Sequence, residues 1–369
     1  INCSIVGNHA ANGGGACIND QSTPAFYNCR ITGNVTDFTG SHAAGLTFRS
    51  NTGGIIINST IAGNYANSSN SGIYTLSPLH VANSIVYGYI SYPVDTSSVK
   101  SSCIFPVGHT GVGNISLNPL FVNMPAPVFP PTATITGDYR LQACSPAINA
   151  GDNILVPAGI TKDIDSLPRI NFITVDMGAY EKQDIDLANT TWRGLNNNWN
   201  DKINWCGGYI PADSTNVNIP LTLNNPFIYA GYDNEVKNIS LASNTSINIA
   251  NTCKFIINGT YINNGSNIIN NGRWVMAGSS GGQTFPGSLA TVSAMNQLEI
   301  SNPSGIVLNK SFSITGSLIP TAGNINVNGT VILKSSDTAT ASVDVIQPAA
   351  SINYSGAGKF VVERFINTG

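Results

Sequence analysis

Asn28-Cys29-Arg30-Ile31-Thr32-Gly33-Asn34 decides the fold, because the stretch stands before it as Asn2-Cys3-Ser4-Ile5-Val6-Gly7-Asn8 and after it as Asn58-Ser59-Thr60-Ile61-Ala62-Gly63-Asn64. A looser copy runs from Asn83 to Gly88. In all four copies Gly follows Asn by five residues, and the copies start 26, 30 and 25 residues apart. Between them a second element recurs as Gly15-Ala16-Cys17-Ile18, Gly45-Leu46-Thr47-Phe48 and Gly72-Ile73-Tyr74. Self-similarity at a period of about 20–50 residues marks stacked repeats. The pattern suits strands of four or five residues, each laid on its counterpart about 4.8 Å along a common axis. Two inward rows follow: Cys3, Cys29, Ser59 and Ser84 in one, Ile5, Ile31, Ile61 and Val86 in the other. The closing Gly-Asn supplies the positive φ of a corner. Free thiols fit such a row, and a Cys3–Cys29 disulfide between copies is the alternative.

Composition agrees with an all-β chain. Charged residues make up 9% of 369 residues, about a third of the usual share, while Asn supplies 47 and Gly 37. Helical surfaces draw on Lys, Glu and Arg; Asn, Gly, Ser and Thr serve turns and strand surfaces. Hydrophobic content of 42% still provides a core, and a net charge of −3 gives no basic stripe for nucleic acid. No apolar run of membrane-spanning length occurs, so direct membrane insertion is not expected. The seven cysteines contain no CxxC pair, and His9, His42, His80 and His109 fall at different phases of the repeat, which argues against a zinc site.

Beyond Gly88 the repeat fades into a Pro-rich stretch, Met124 to Pro131. Then Asn118-Pro119-Leu120-Phe121, Asp138-Tyr139-Arg140-Leu141, Ser145-Pro146-Ala147-Ile148-Asn149-Ala150-Gly151-Asp152 and Asp176-Met177-Gly178-Ala179-Tyr180-Glu181 form an ordered string around that stretch. Here residues 1–182 resemble the pectate-lyase-like β-helix repeats of large bacterial surface proteins, in the style of polymorphic outer-membrane proteins, where such a string closes the helix. The resemblance implies a right-handed parallel β-helix over 1–183. Asn118 and Asn149 depart from the Asp usual in the string, and Asp163-Ile164-Asp165-Ser166-Leu167-Pro168-Arg169 lacks its Gly. Asp152, Asp163, Asp165, Asp176 and Glu181 are the densest acidic set in the chain. They suit either a polar cap, with Arg140 or Arg169 pairing them at the open end of the helix, or a structural Ca²⁺ site built from hard oxygen ligands. No cofactor is required.

After a linker at 184–191, Trp192, Trp199 and Trp205 bring three of the four tryptophans within fourteen residues. They read either as a hydrophobic cap on a first repeat or as rings that stack on a glycan. Short alternating segments follow, such as Ile247/Ile249, Phe255/Ile257 and Trp274/Met276, punctuated by Asn258-Gly259, Asn264-Gly265 and Asn271-Gly272, a tight-turn signal. The pattern suggests a second β-rich module at 192–285 continuing through 286–369, with Gly278–Gly287 as its internal junction; solenoid and β-sandwich both fit. The tryptophan-rich opening and the stretch from Gln283 to Phe365 resemble modules of proteins exported by the type IX route. That resemblance implies a longer, extracellular chain with neighbouring repeats and a sorting domain.

Three function classes are open. A structural or adhesive segment at the bacterial cell surface fits the repetition, with corner loops such as Thr36–His42 and Ala66–Ser71 offered to glycans or other cell surfaces. A carbohydrate-binding module would use the tryptophans or the Asn-rich faces. A β-helix polysaccharide lyase or glycoside hydrolase would need a line of carboxylates, and residues 1–90 hold only Asp20 and Asp37 as acids.

Overall fold

The computed structural model describes residues 1–36, 43–66, 71–91, 98–128, 130–279, 281–287 and 289–366. The corner loops 37–42 and 67–70, His42 among them, lie outside the described residues. The chain divides into two compact units, Ile1–Ile185 and Asp186–Gly369. Both are built from strands, almost all paired in parallel. Among the described residues there is no α-helix, and so none long and apolar enough to cross a membrane.

In the first unit each repeat contributes one short strand to each of several sheets. The leading sheet stacks Ser4–Val6, Arg30–Thr32, Thr60–Ala62, Ile85–Tyr87 and Cys103–Phe105 in that order. Ile5 faces Ile31, Ile31 faces Ile61, Ile61 faces Val86, and Val86 faces Ile104. Three further sheets follow the same rule; one stacks Ala16–Ile18, Leu46–Phe48, Ile73–Thr75 and Ile90–Ser91. The inward row Ile31, Ile61, Val86 and Ile104 is buried with Leu46, Phe48, Ile56 and Val81 in one apolar core. Burial of each such side chain contributes about 1.5–3 kcal/mol.

Polar side chains form rows of their own. Asn34 donates through Nδ2 to Ile5 O and Asn64 Oδ1, both at 2.9 Å, and accepts from the backbone and side-chain nitrogens of Asn8. Asn64 repeats the contact one copy on, donating to Ile31 O. In the neighbouring row Cys29 N donates to Ser59 Oγ, Ser59 N to Ser84 Oγ and Ser84 N to Ser102 Oγ, at 3.1–3.2 Å.

Several expectations are corrected. Positive φ falls on Gly7, Gly33 and Gly63 and on the first Asn of each copy, Asn2, Asn28, Asn58 and Asn83, while the Asn after Gly serves as a hydrogen-bonding row. Cys3 and Cys29 are free. Residues in direct register on parallel neighbours stand one strand spacing apart with parallel Cα–Cβ bonds, too far for a disulfide, whose Cβ atoms approach to about 3.8 Å; Cys29 Sγ instead donates to Tyr27 O.

The second unit stacks at a shorter period. Asn216 faces Asn238 and Ile239 faces Tyr261, 22 residues apart in both cases. All its named strand pairs are parallel, whereas a β-sandwich pairs its strands antiparallel. Asn189–Thr191, at the end of the expected linker, is its first strand. Strand pairing runs on past Gly278–Gly287, Asn267–Met276 lying against Thr291–Ser301. Asn271-Gly272 is no hairpin turn: it lies within Asn267–Met276, and a Cβ on Gly272 would meet Ala250 O and Cys253 O at 2.5 Å. Glycine there permits close approach of two backbones.

Candidate functional site

The acidic string of the first unit does not plug the end of the stack. It lies over the outer face of the leading sheet. Ala62, Ile85 and Cys103 point away from the inner core and are buried beneath Phe121, Tyr139, Leu141, Ala147, Ile148, Met177, Ala179 and Tyr180. An apolar outer row requires such a cover, because parallel sheets are stable when both faces are buried. The positive-φ asparagines fasten it: Asn83 exchanges hydrogen bonds with both backbone groups of Asp152, Asn28 donates to Lys162 O, and Thr60 Oγ1 accepts from Ala179 N at 2.9 Å.

The five acidic residues have separate partners. Asp152 accepts from Ile154 N at the head of a 3₁₀ turn, Asn153–Leu155. Asp163 accepts from Asp165 N, Leu167 N and Glu181 N, all at 2.9 Å. Asp165 pairs with Arg140 at 2.7 Å on the surface. Asp176 accepts from Asn149 N and Lys182 N, both at 2.7 Å. Glu181 accepts from Arg169 at 2.7 Å, with both side chains buried, and from Asp176 N. Arg169 also donates to Gly178 O, Tyr180 O and Asn28 Oδ1, tying the string to the second repeat. Among the described residues no three His, Cys, Asp or Glu side chains converge as metal ligands. Oxygens committed to N–H donors do not fit a Ca²⁺ shell of six to eight oxygens.

Burial shifts the inner pair. Desolvation, with the neighbouring Asp176 charge, pushes Glu181 up to about 8. Desolvation also pushes Asp176 up to about 6, opposed by the N–H donors of Asn149 and Lys182.

Trp192, Trp199 and Trp205 are 0–1% exposed, so their ring faces are covered and offer no stacking surface to a glycan. The Trp205 ring centre lies 4.9 Å from that of Trp192 and 4.7 Å from that of Trp199, and an aromatic series continues through Phe255, Trp274, Phe285 and Phe312 at 5.0–5.9 Å. Trp192 Nε1 donates to Asn224 O and Trp205 Nε1 to Trp199 O, both at 2.8 Å. His80 and His109 are both half-buried.

Sequence reasoning missed a polar groove of about 670 Å³ in the second unit, bordered by Asn251, Lys254, Asn271, Arg273, Asn296 and Gln297. Its one sequence signal was Asn271-Gly272. The pairing register shifts between Asn270 and Arg273 and again between Met295 and Gln297, so consecutive strands bend at one place. Such bulges re-aim side chains and are frequent beside functional sites. The chain matches no protein-family model, no curated protein and no solved structure.

Proposed function

We propose that both units are parallel β-solenoids, the first a right-handed β-helix, and that the chain is a structural and adhesive segment of a large secreted bacterial cell-surface protein. The observation that carries this reading is the in-register stacking of successive repeats, with row upon row of identical or similar side chains and only 9% charged residues. A backbone ladder of this kind is stiff and extends by adding copies. Its outer surface is set independently by corner loops and outward rows. The acidic residues of the cover accept backbone N–H groups and arginine donors, which supports a structural role for them over the exposed carboxylate pair that a glycoside hydrolase employs.

Protease shaving of intact source cells tests the location. Release of fragments from this chain without lysis is the expected result, and fragments seen only after lysis contradict it. Sustained cleavage of a pectin, alginate or glucan panel by the purified chain contradicts the non-enzymatic reading.

A further inference from the structure

The geometry points to the groove of the second unit as a binding site for a neutral oligosaccharide. Three consecutive strands build it. Asn267–Met276 bends at Asn270-Asn271-Gly272, Thr291–Ser301 at Asn296, and Phe312–Val327 at Thr315-Gly316, where a Cβ on Gly316 would meet Asn296 Oδ1 at 2.4 Å. The turn at Asn251–Thr252 walls the other side, with Thr252 at φ 67°. The volume, about 670 Å³, falls in the range of small-ligand clefts, about 300–1,000 Å³.

The lining defines the ligand class. Four amide side chains, Asn251, Asn271, Asn296 and Gln297, border the space together with Thr252 and Thr315. Amides both donate and accept, as vicinal hydroxyl groups require. Asn296 Nδ2 donates to Asn271 O at 2.7 Å, and Gln297 Oε1 accepts from Arg273 Nε at 3.0 Å, which orients both amides. Among the described residues the side chains of Asn251 and Asn271 make no hydrogen bond and are exposed to the groove. No aromatic ring lines it, which disfavours a nucleobase or an apolar ligand. Arg273 pairs with Glu299 at 3.2 Å, and Asp233 stands beside Lys254, its carboxylate accepting from the Lys254 backbone N–H at 2.7 Å. Two carboxylates beside two cations leave no net charge there to favour an anion. Polyhydroxylated, uncharged and elongated is the chemistry that remains, held by hydrogen bonds that are individually modest. This inference goes beyond the scaffold reading and does not depend on it.

Titration of the full chain by ligand-detected NMR tests it, with neutral tetrasaccharides of the cello, xylo, manno and N-acetylglucosamine series and a hexuronate tetrasaccharide beside them. At least one neutral series is expected to bind at least tenfold more tightly than the hexuronate. Asn271→Ala and Gln297→Ala each weaken that binding about tenfold at unchanged melting temperature, the loss of about one net hydrogen bond, while Asn189→Ala in the first strand of the unit leaves it unchanged. The proposal is overturned if no neutral member binds, if the hexuronate binds equally or better, or if both groove variants bind as the parent does.

Discussion

Arg169 and Glu181 meet at 2.7 Å with both side chains 1% exposed, and the same guanidinium reaches Asn28 in the second repeat at 3.3 Å. One side chain thus joins the cover to the stack. Removing one partner of a buried ion pair typically costs about 3–5 kcal/mol, because it strands the other charge. Arg169→Met is expected to lower the stability of the first unit by about that amount. Arg140→Met removes only the exposed bond to Asp165 and should cost about 0–1 kcal/mol. Urea unfolding followed by tyrosine fluorescence of the first unit, which has no tryptophan, compares the two.

The carboxyl pair predicts a pH dependence. Folded values of about 8 for Glu181 and about 6 for Asp176 lie above those of an unfolded chain, about 4.3 and 3.9. The folded unit therefore binds protons more tightly, and this contribution is complete below about pH 4 and is lost as pH rises through about 6 and then about 8. Thermal scans between those limits should show the first unit melting lower as pH rises. Glu181→Gln should remove the upper part of that slope; an unchanged slope contradicts the assignment.

In the inner asparagine row, Asn34 has protein partners on its amide nitrogen and its amide oxygen. Asn34→Ala leaves Ile5 O and the Asn64 amide short of a buried partner, at about 1–3 kcal/mol for each group left bare. Asn326→Ala, at a half-buried position of the second unit, serves as the comparison and should change little. Hydrogen exchange at the amides of Asn8 and Asn34 should accelerate in the first variant only.

Trp199 is fully buried against Trp205 and Phe255. Trp199→Ala should therefore destabilise the second unit by about 3–5 kcal/mol, as for other large-to-small changes in cores. A variant that kept its melting temperature but lost glycan binding would contradict the burial.

Much of the stacking was legible because the repeated Asn-to-Gly distance fixes the register, and register in turn fixes which side chains share a row. Ile5, Ile31 and Ile61 could be aligned by counting. The outer row of the same sheet was not legible. Ala62 and Ile85 are small or ordinary apolar residues, and nothing local shows that residues from Phe121 onward cover them. The tryptophans were ambiguous for a related reason: an indole has the same spacing in sequence whether its faces are buried or open. Asn271-Gly272 misled because Asn-Gly answers to any demand for a close backbone approach, a hairpin turn being one case among several. The groove depends on bends that stack across three strands, which no single segment encodes.

Stacking of the repeats in register underlies every row of side chains in the first unit. A methyl-to-methyl NOE spectrum of the deuterated full chain, with Ile δ1 and Val methyls labelled, reads it directly. Cross-peaks are predicted between Ile5 and Ile31, Ile31 and Ile61, Ile61 and Val86, and Val86 and Ile104, with none between Ile5 and Ile61. Absence of the neighbouring peaks, or a set linking other partners, would contradict the parallel stack.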